Sequence, residues 1–148
     1  MVKLLLSLLF GLLFTNFSHA EEDDHEGSSF GESMAIIDVH DNGHRFKLSD
    51  KAIASLKLKH EAISSLGKGT YKISKNTLVS FGEEFGVFVV RDGWFELVEV
   101  EIKSRKKDFI SISSKNLNKS DQIVVSGVPL LRVAQLEASG EGGEGHGH

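Results

Sequence analysis

Seven histidines and no cysteine bound the metal chemistry open to this chain. Without thiolates, a metal site has to be built from neutral imidazole and carboxylate. The densest candidate is the C-terminal run SGEGGEGHGH, residues 139–148, which ends in His146-Gly147-His148. A His-x-His pair on flexible backbone can hold one Zn(II), Cu(II) or Ni(II) ion, with Glu144 or Glu141 as a third ligand. Ordering such a segment costs entropy, so its affinity should be modest. The competing reading is a solvated tail.

His40 and His44 flank an Asn42-Gly43 pair and form a second, weaker candidate. A two-residue turn at Asn42-Gly43 pairs His40 with Arg45 and His44 with Asp41, which sends the imidazoles to opposite sides. A three-residue loop, Asp41 to Gly43, would bring both to one face. We expect the first arrangement, and so ordinary surface histidines. His25, within EDDHE, is expected to be solvated, and His60, beside Lys59, to be structural or exposed. Met34 stands alone, whereas a Cu(I) or Ag(I) site would want several thioethers. Trp94 follows a turn; core or edge packing is expected ahead of a partner-anchoring role.

Covalent chemistry finds little support. There is no G-x-S-x-G elbow, no phosphate-cradling glycine loop and no H-E-x-x-H zinc helix. His60-Glu61 is followed by Ala-Ile-Ser-Ser, so the second histidine of such a helix is missing. No serine stands beside a candidate base. The chain is not expected to be an enzyme.

The elements that must carry these residues read as short strands. Asn42-Gly43 between apolar-rich runs signals a hairpin, because a type I′ turn needs positive φ at both central positions. Ser49-Asp50 should start a short helix, with Ser49 as cap and Ala52, Ile53 and Leu56 on one face. A strand is expected from about Leu58 to Ile63, a loop over Ser64–Gly69 and a further strand from near Thr70. FGVFVVRDGWFELVEVEI, residues 85–102, is the clearest element. A turn at Asp92-Gly93 pairs Val90 with Phe95 and Phe88 with Leu97 on one face, and places Val87, Val89, Val98 and Val100 on the other. With both faces apolar, this hairpin should lie in a sheet covered on two sides. Phe109–Ser113 and Gln122–Ser126 should be strands joined by a polar turn; Leu130–Leu136 fits a last strand or a short helix. About seven short strands and one or two short helices make a mainly β fold, a small antiparallel barrel- or sandwich-like domain.

The N-terminal residues 1–20, MVKLLLSLLFGLLFTNFSHA, read as a secretory signal cut after Ala20. An uncleaved inner-membrane anchor is the alternative, although the apolar run is short for a span. Residues 21–33 read as a disordered acidic leader, 34–138 as the β domain and 139–148 as a disordered Gly/Glu/His tail. Losing Lys3 with the signal moves the formal charge from −4 to −5, with no basic block, so nucleic acid is not an expected partner.

With the strands placed, a resemblance emerges. FKLSDKAIASLKLKHEAI, residues 46–63, resembles the segment opening the membrane-proximal domain in periplasmic adaptor subunits (membrane fusion proteins) of RND-type efflux pumps, above all the heavy-metal branch. Residues 73–136 resemble the same family's C-terminal stretch. ISKNTLV is similar to its re-entry motif, VFVVRDGWFELVEVEI to its hairpin, LNKSDQIVVSG to its "Leu-Lys-x-Gly-Asp-x-Val-Val-x-Gly" turn and strand, and VPLLRVAQLEAS to its end. A Gly- and His-rich terminus also occurs in metal-pump adaptors. A full adaptor holds hundreds of residues between the two segments, forming a β-barrel, a lipoyl domain and a long helical hairpin; here about ten residues, near Ser64–Lys72, replace them. Ser74 stands where the family has proline and Ser120 where it has glycine. The resemblance implies a periplasmic accessory or minimal adaptor-like protein, docking on an inner-membrane RND transporter or a full-length adaptor and binding divalent metal. The alternatives are a metal-free structural interaction module and a free periplasmic metal buffer.

Overall fold

The structure, a computed structural model, describes residues 35–141. The expected signal segment and acidic leader, and the candidate ligands Glu144, His146 and His148, lie outside the described residues, as do His25 and Met34.

Eleven strands, two α-helices and two short 3-10 turns make a mainly β domain, as the alternation in the sequence predicts. The strands are β1 (Ile36–His40), β2 (Arg45–Leu48), β3 (Lys59–Ala62), β4 (Ser64–Gly67), β5 (Thr70–Ile73), β6 (Val79–Phe81), β7 (Glu84–Arg91), β8 (Trp94–Glu99), β9 (Glu101–Arg105), β10 (Ile110–Ser113) and β11 (Gln122–Ser126). The helices are α1 (Asp50–Ser55) and α2 (Val128–Ala138). A seven-stranded sheet runs β1-β2-β8-β7-β11-β3, with β6 paired to β7; a four-stranded sheet runs β4-β5-β10-β9. All pairings are antiparallel and neither sheet closes on itself, so the fold is sandwich-like and not a barrel.

The β7–β8 hairpin organises the layers. Asp92 and Gly93 both take positive φ, and the register pairs Val90 with Phe95, Phe88 with Leu97 and Val87 with Val98, as read from the sequence. Its two faces serve two cores. Val87, Val89, Val98 and Val100 pack with Tyr71, Ile73, Ile110 and Ile112 between the sheets. Phe88 and Phe95 pack with Phe46, Val124, Val128 and Leu131 under the helices. The result is three layers: small sheet, large sheet, helices. The chain passes between the sheets four times, and two of those passages are short buried corners. Ile63 donates its N–H to Asp121 O at 3.0 Å between β3 and β4, and Val100 donates to Phe85 O at 2.8 Å between β8 and β9.

Three local expectations change, and one left open between strand and helix is decided. Ser64–Gly67 is an edge strand, not a loop: it pairs with β5 around a Lys68-Gly69 turn whose two residues both have positive φ. Its residues are all exposed, so no apolar alternation marks it in the sequence. Leu130–Leu136 is helical, inside α2, with Pro129 in the first turn, where a missing N–H costs nothing. Ser139–Glu141, assigned by sequence to the tail, continue from the end of α2, where Ser139 Oγ donates to Leu136 O at 3.0 Å. At the first hairpin, Asn42 and Gly43 have the positive φ of a type I′ turn and His44 N–H donates to Asp41 O at 3.1 Å. Asp41 is also left-handed, however, and His44 is right-handed helical, so the expected His44–Asp41 strand pair is lost and the ladder ends at His40–Arg45. The helix at Ser49 forms as expected, its Oγ accepting from Ala52 N–H at 3.3 Å.

Among the described residues, no helix is long and apolar enough to cross a membrane.

Candidate functional site

His40 and His44 leave the β1–β2 turn for different surroundings. The His40 ring meets Trp94 edge-on, with centroids 4.6 Å apart, and its Nε2 lies 3.9 Å from Asp38 Oδ1. Lys47 Nζ, 4.6 Å from the Trp94 ring centroid, and Arg45 Cζ, 5.3 Å away, share that ring. Trp94 is therefore a half-buried packing platform for the His40 ring of β1 and the cationic Arg45 and Lys47 of β2.

His44 instead lines a groove of about 400 Å³ between that turn, the free end of β8 and the end of α2. Glu84, Leu97, Glu99, Arg132, Ser139 and Glu141 line it too. The close fit explains the placement. A Cβ on Gly43 would come within 2.4 Å of Ser139 Cα, so the turn and the last residues of α2 touch backbone to backbone. Glu141, the last described residue, thus sits on the same groove as His44. Gly43→Ala should expel the end of α2, since the new methyl meets backbone and φ is +88°. We expect a loss of about 2–3 kcal/mol from strain and overpacking together, read as a lower midpoint in urea.

His60 is exposed on β3, and its Nδ1 contacts Gln122 Oε1 on β11. Among the described residues, no group of three or more His, Asp or Glu is arranged to hold a metal ion. A divalent ion at the groove would need ligands from residues 142–148 beside His44 and Glu141.

The strongest polar cluster is one that the motif reading did not single out. Arg91, at the end of β7, donates Nε to Asp121 Oδ1 at 2.9 Å and Nη2 to Asp121 Oδ2 at 2.6 Å. Its remaining donors reach Glu96 Oε2 at 3.1 Å and Asn116 O at 2.6 Å. Asp121 also accepts Asn118 N–H at 2.8 Å. Burial pushes the Asp121 carboxyl up, but the Arg91 hydrogen bond, the Asn118 N–H and the Arg91 charge outweigh it and hold the group below the usual carboxylate range. Asp121 pulls the Arg91 guanidinium up in turn. The cluster pins the β10–β11 loop to the central hairpin and to the Ile63 corner. Ser120, within that loop, is not among the positive-φ residues, so its backbone does not require glycine. Ser74 has φ of −70°, close to the angle proline would impose.

A second cleft, of about 330 Å³, runs between α1 and α2 and is mainly apolar, lined by Leu48, Ala52, Leu56, Leu130, Val133 and Ala134. Leu130 and Val133 are each 52% exposed.

Comparison with family models, with curated proteins and with solved structures gives no match to this chain.

Proposed function

We propose that this chain is a periplasmic accessory domain of an RND-type heavy-metal efflux system. In this reading it resembles the membrane-proximal domain of the pump's adaptor, docks on the inner-membrane transporter or on a full-length adaptor, and offers its His/Glu-rich tail to a divalent metal. Its role is ligand exchange and docking, without covalent chemistry.

The observation that carries the reading is the β4–β5 hairpin. The two adaptor-like segments lie on either side of it, at the place where full adaptors insert their other domains. Here Gly67 and Thr70 pair across a two-residue turn, and the hairpin stands at the edge of the small sheet with β4 exposed. An exposed turn whose two ends lie side by side is where a domain can be inserted or removed without disturbing the core that β5 enters. The apolar α1–α2 cleft supports docking, because solvent-facing Leu130 and Val133 gain from being covered. The groove shared by His44 and Glu141 supports metal capture, because it offers an imidazole where the tail begins.

Calorimetric titration of residues 21–148 with Zn(II), Cu(II) and Ni(II) tests the metal role, beside a chain stopped after Glu141. We expect micromolar binding that the truncation abolishes. His44→Ala should weaken it at least tenfold, a loss that even outer-shell changes around a metal produce, and His40→Ala should leave it unchanged. Negligible heats in the full tail would leave a metal-free docking module. Co-purification with the RND transporter from membranes tests docking; metal binding without it would favour a free periplasmic metal buffer.

A further inference from the structure

One end of the small sheet carries a concentration of unpaired positive charge. Lys106 N–H donates to Phe109 O at 2.8 Å and closes the β9–β10 hairpin around Lys107-Asp108. Arg105 pairs with Ile110 at the base of that hairpin, and Ile110 pairs in turn with Ile73 of β5. Lys72 precedes Ile73, and Lys75 lies just beyond the same end of β5. The five cations Lys72, Lys75, Arg105, Lys106 and Lys107 are all exposed, with Asp108 the acid in the tip.

Among the described residues, none of the five makes an ion pair within 4.0 Å, although the sequence offers acids nearby. Glu101 is taken by Lys103 at 2.6 Å, and among the described residues Glu83 and Glu84 lie within 4.0 Å of no cation. Two of the five rest on aromatic rings: Lys72 Nζ lies 4.8 Å from the Phe109 centroid and Arg105 Cζ 5.5 Å from that of Phe85. Cation–ring contacts hold the charges at the surface without neutralising them. Residues 35–141 hold sixteen Lys and Arg against fourteen Asp and Glu, so the described domain is net +2 while the whole chain is −4.

We propose that this hairpin tip is a docking surface for an anionic membrane, with phospholipid headgroups as its ligand. Exposed cations spread over the hairpin tip and the neighbouring end of β5 suit an extended charged plane better than one small anion. Lysines dominate it, and a lysine is a point charge that imposes little geometry on its partner. Half-buried Phe109 adds apolar surface at the base, suited to the headgroup boundary. The proposal rests on the patch itself and stands apart from the efflux reading.

The test is sedimentation of residues 21–148, which retain every described residue, with phosphatidylglycerol–phosphatidylcholine vesicles against phosphatidylcholine alone. Each cation near an anionic surface strengthens partitioning about fivefold at low salt. We expect a preference for the anionic vesicles that fades as salt rises. Reversing two charges, in Lys106→Glu with Lys107→Glu, should reduce it at least about twentyfold. Lys115→Glu with Lys119→Glu, two exposed cations in another loop, should leave most of it. Matching circular dichroism would show that the variants fold. No preference for anionic vesicles, or equal loss in both double variants, would overturn the proposal. So would binding to an acidic polypeptide but not to vesicles, which would make the tip a protein-docking site.

Discussion

Asp121→Ala should destabilise the protein by about 3–4 kcal/mol at neutral pH, the cost of stranding one partner of a buried ion pair. Asp121 is only 4% exposed and takes both bonds of the Arg91 fork. Arg91 would keep Glu96 and the Asn116 carbonyl, and its side chain is 28% exposed, which places the loss at the lower end of that range. The pH dependence follows from the direction of the shift. The folded carboxyl titrates below its unfolded value, near 3.9, so its contribution is present above that pH and is lost as pH falls through the folded pKa. The wild-type protein should therefore lose this stability in strong acid, and the gap between wild type and variant should narrow there. Urea unfolding from neutral pH down to about pH 2 would check it. A gap that stayed constant would mean that the pair's charge contributes nothing.

Phe46→Ala should cost about 4 kcal/mol, within the range for emptying a buried aromatic site. Phe46 is fully buried and links two strands of the central hairpin. It stacks on Phe95 at 5.8 Å and meets Phe88 edge-on at 6.4 Å. Its loss removes both ring contacts and leaves a cavity that α2 and the sheet close only in part. Phe46→Leu, which keeps most of the volume, should cost less than half as much. Thermal unfolding followed by near-ultraviolet circular dichroism would read both. If alanine and leucine cost the same, packing at this position would not depend on the ring.

The two residues also differ in how legible they are. Phe46 lies in a strand that the Asn42-Gly43 turn announces, and its burial follows from alternation. Asp121 and Arg91 are thirty residues apart, and neither has a sequence neighbour that reveals the other. The segment LNKSDQIVVSG contains Asp121, but only its meeting with Arg91 explains why a carboxylate is needed there.

The candidate metal ligands divide in the same way. Residue type and spacing single out His146, His148 and Glu144 from the sequence, and those residues lie beyond the described structure. The sequence reading separates His40 from His44, although the turn between them is not the two-residue one on which that reading rests. That His44 shares a groove with Glu141 does not follow from the sequence, because it depends on Ser139 packing against Gly43, almost a hundred positions away.

What the sequence by itself determined is local: the β7–β8 register, the two apolar faces of that hairpin, the Ser49 cap and the mainly β class. These follow from period-two alternation, turn pairs that need positive φ and a hydroxyl ahead of a helix, all within reach of a few residues. Only the tertiary structure decided the rest. SSLG became strand β4 because the backbone of β5 was there to pair with it. LLRVAQL became helix because Leu131 and Ala134 found the apolar face of the large sheet. The Arg91–Asp121 pair and the His44 groove arose where distant segments met. Backbone pairing and buried charge draw their free energy from partners far along the chain, and local pattern carries no record of them.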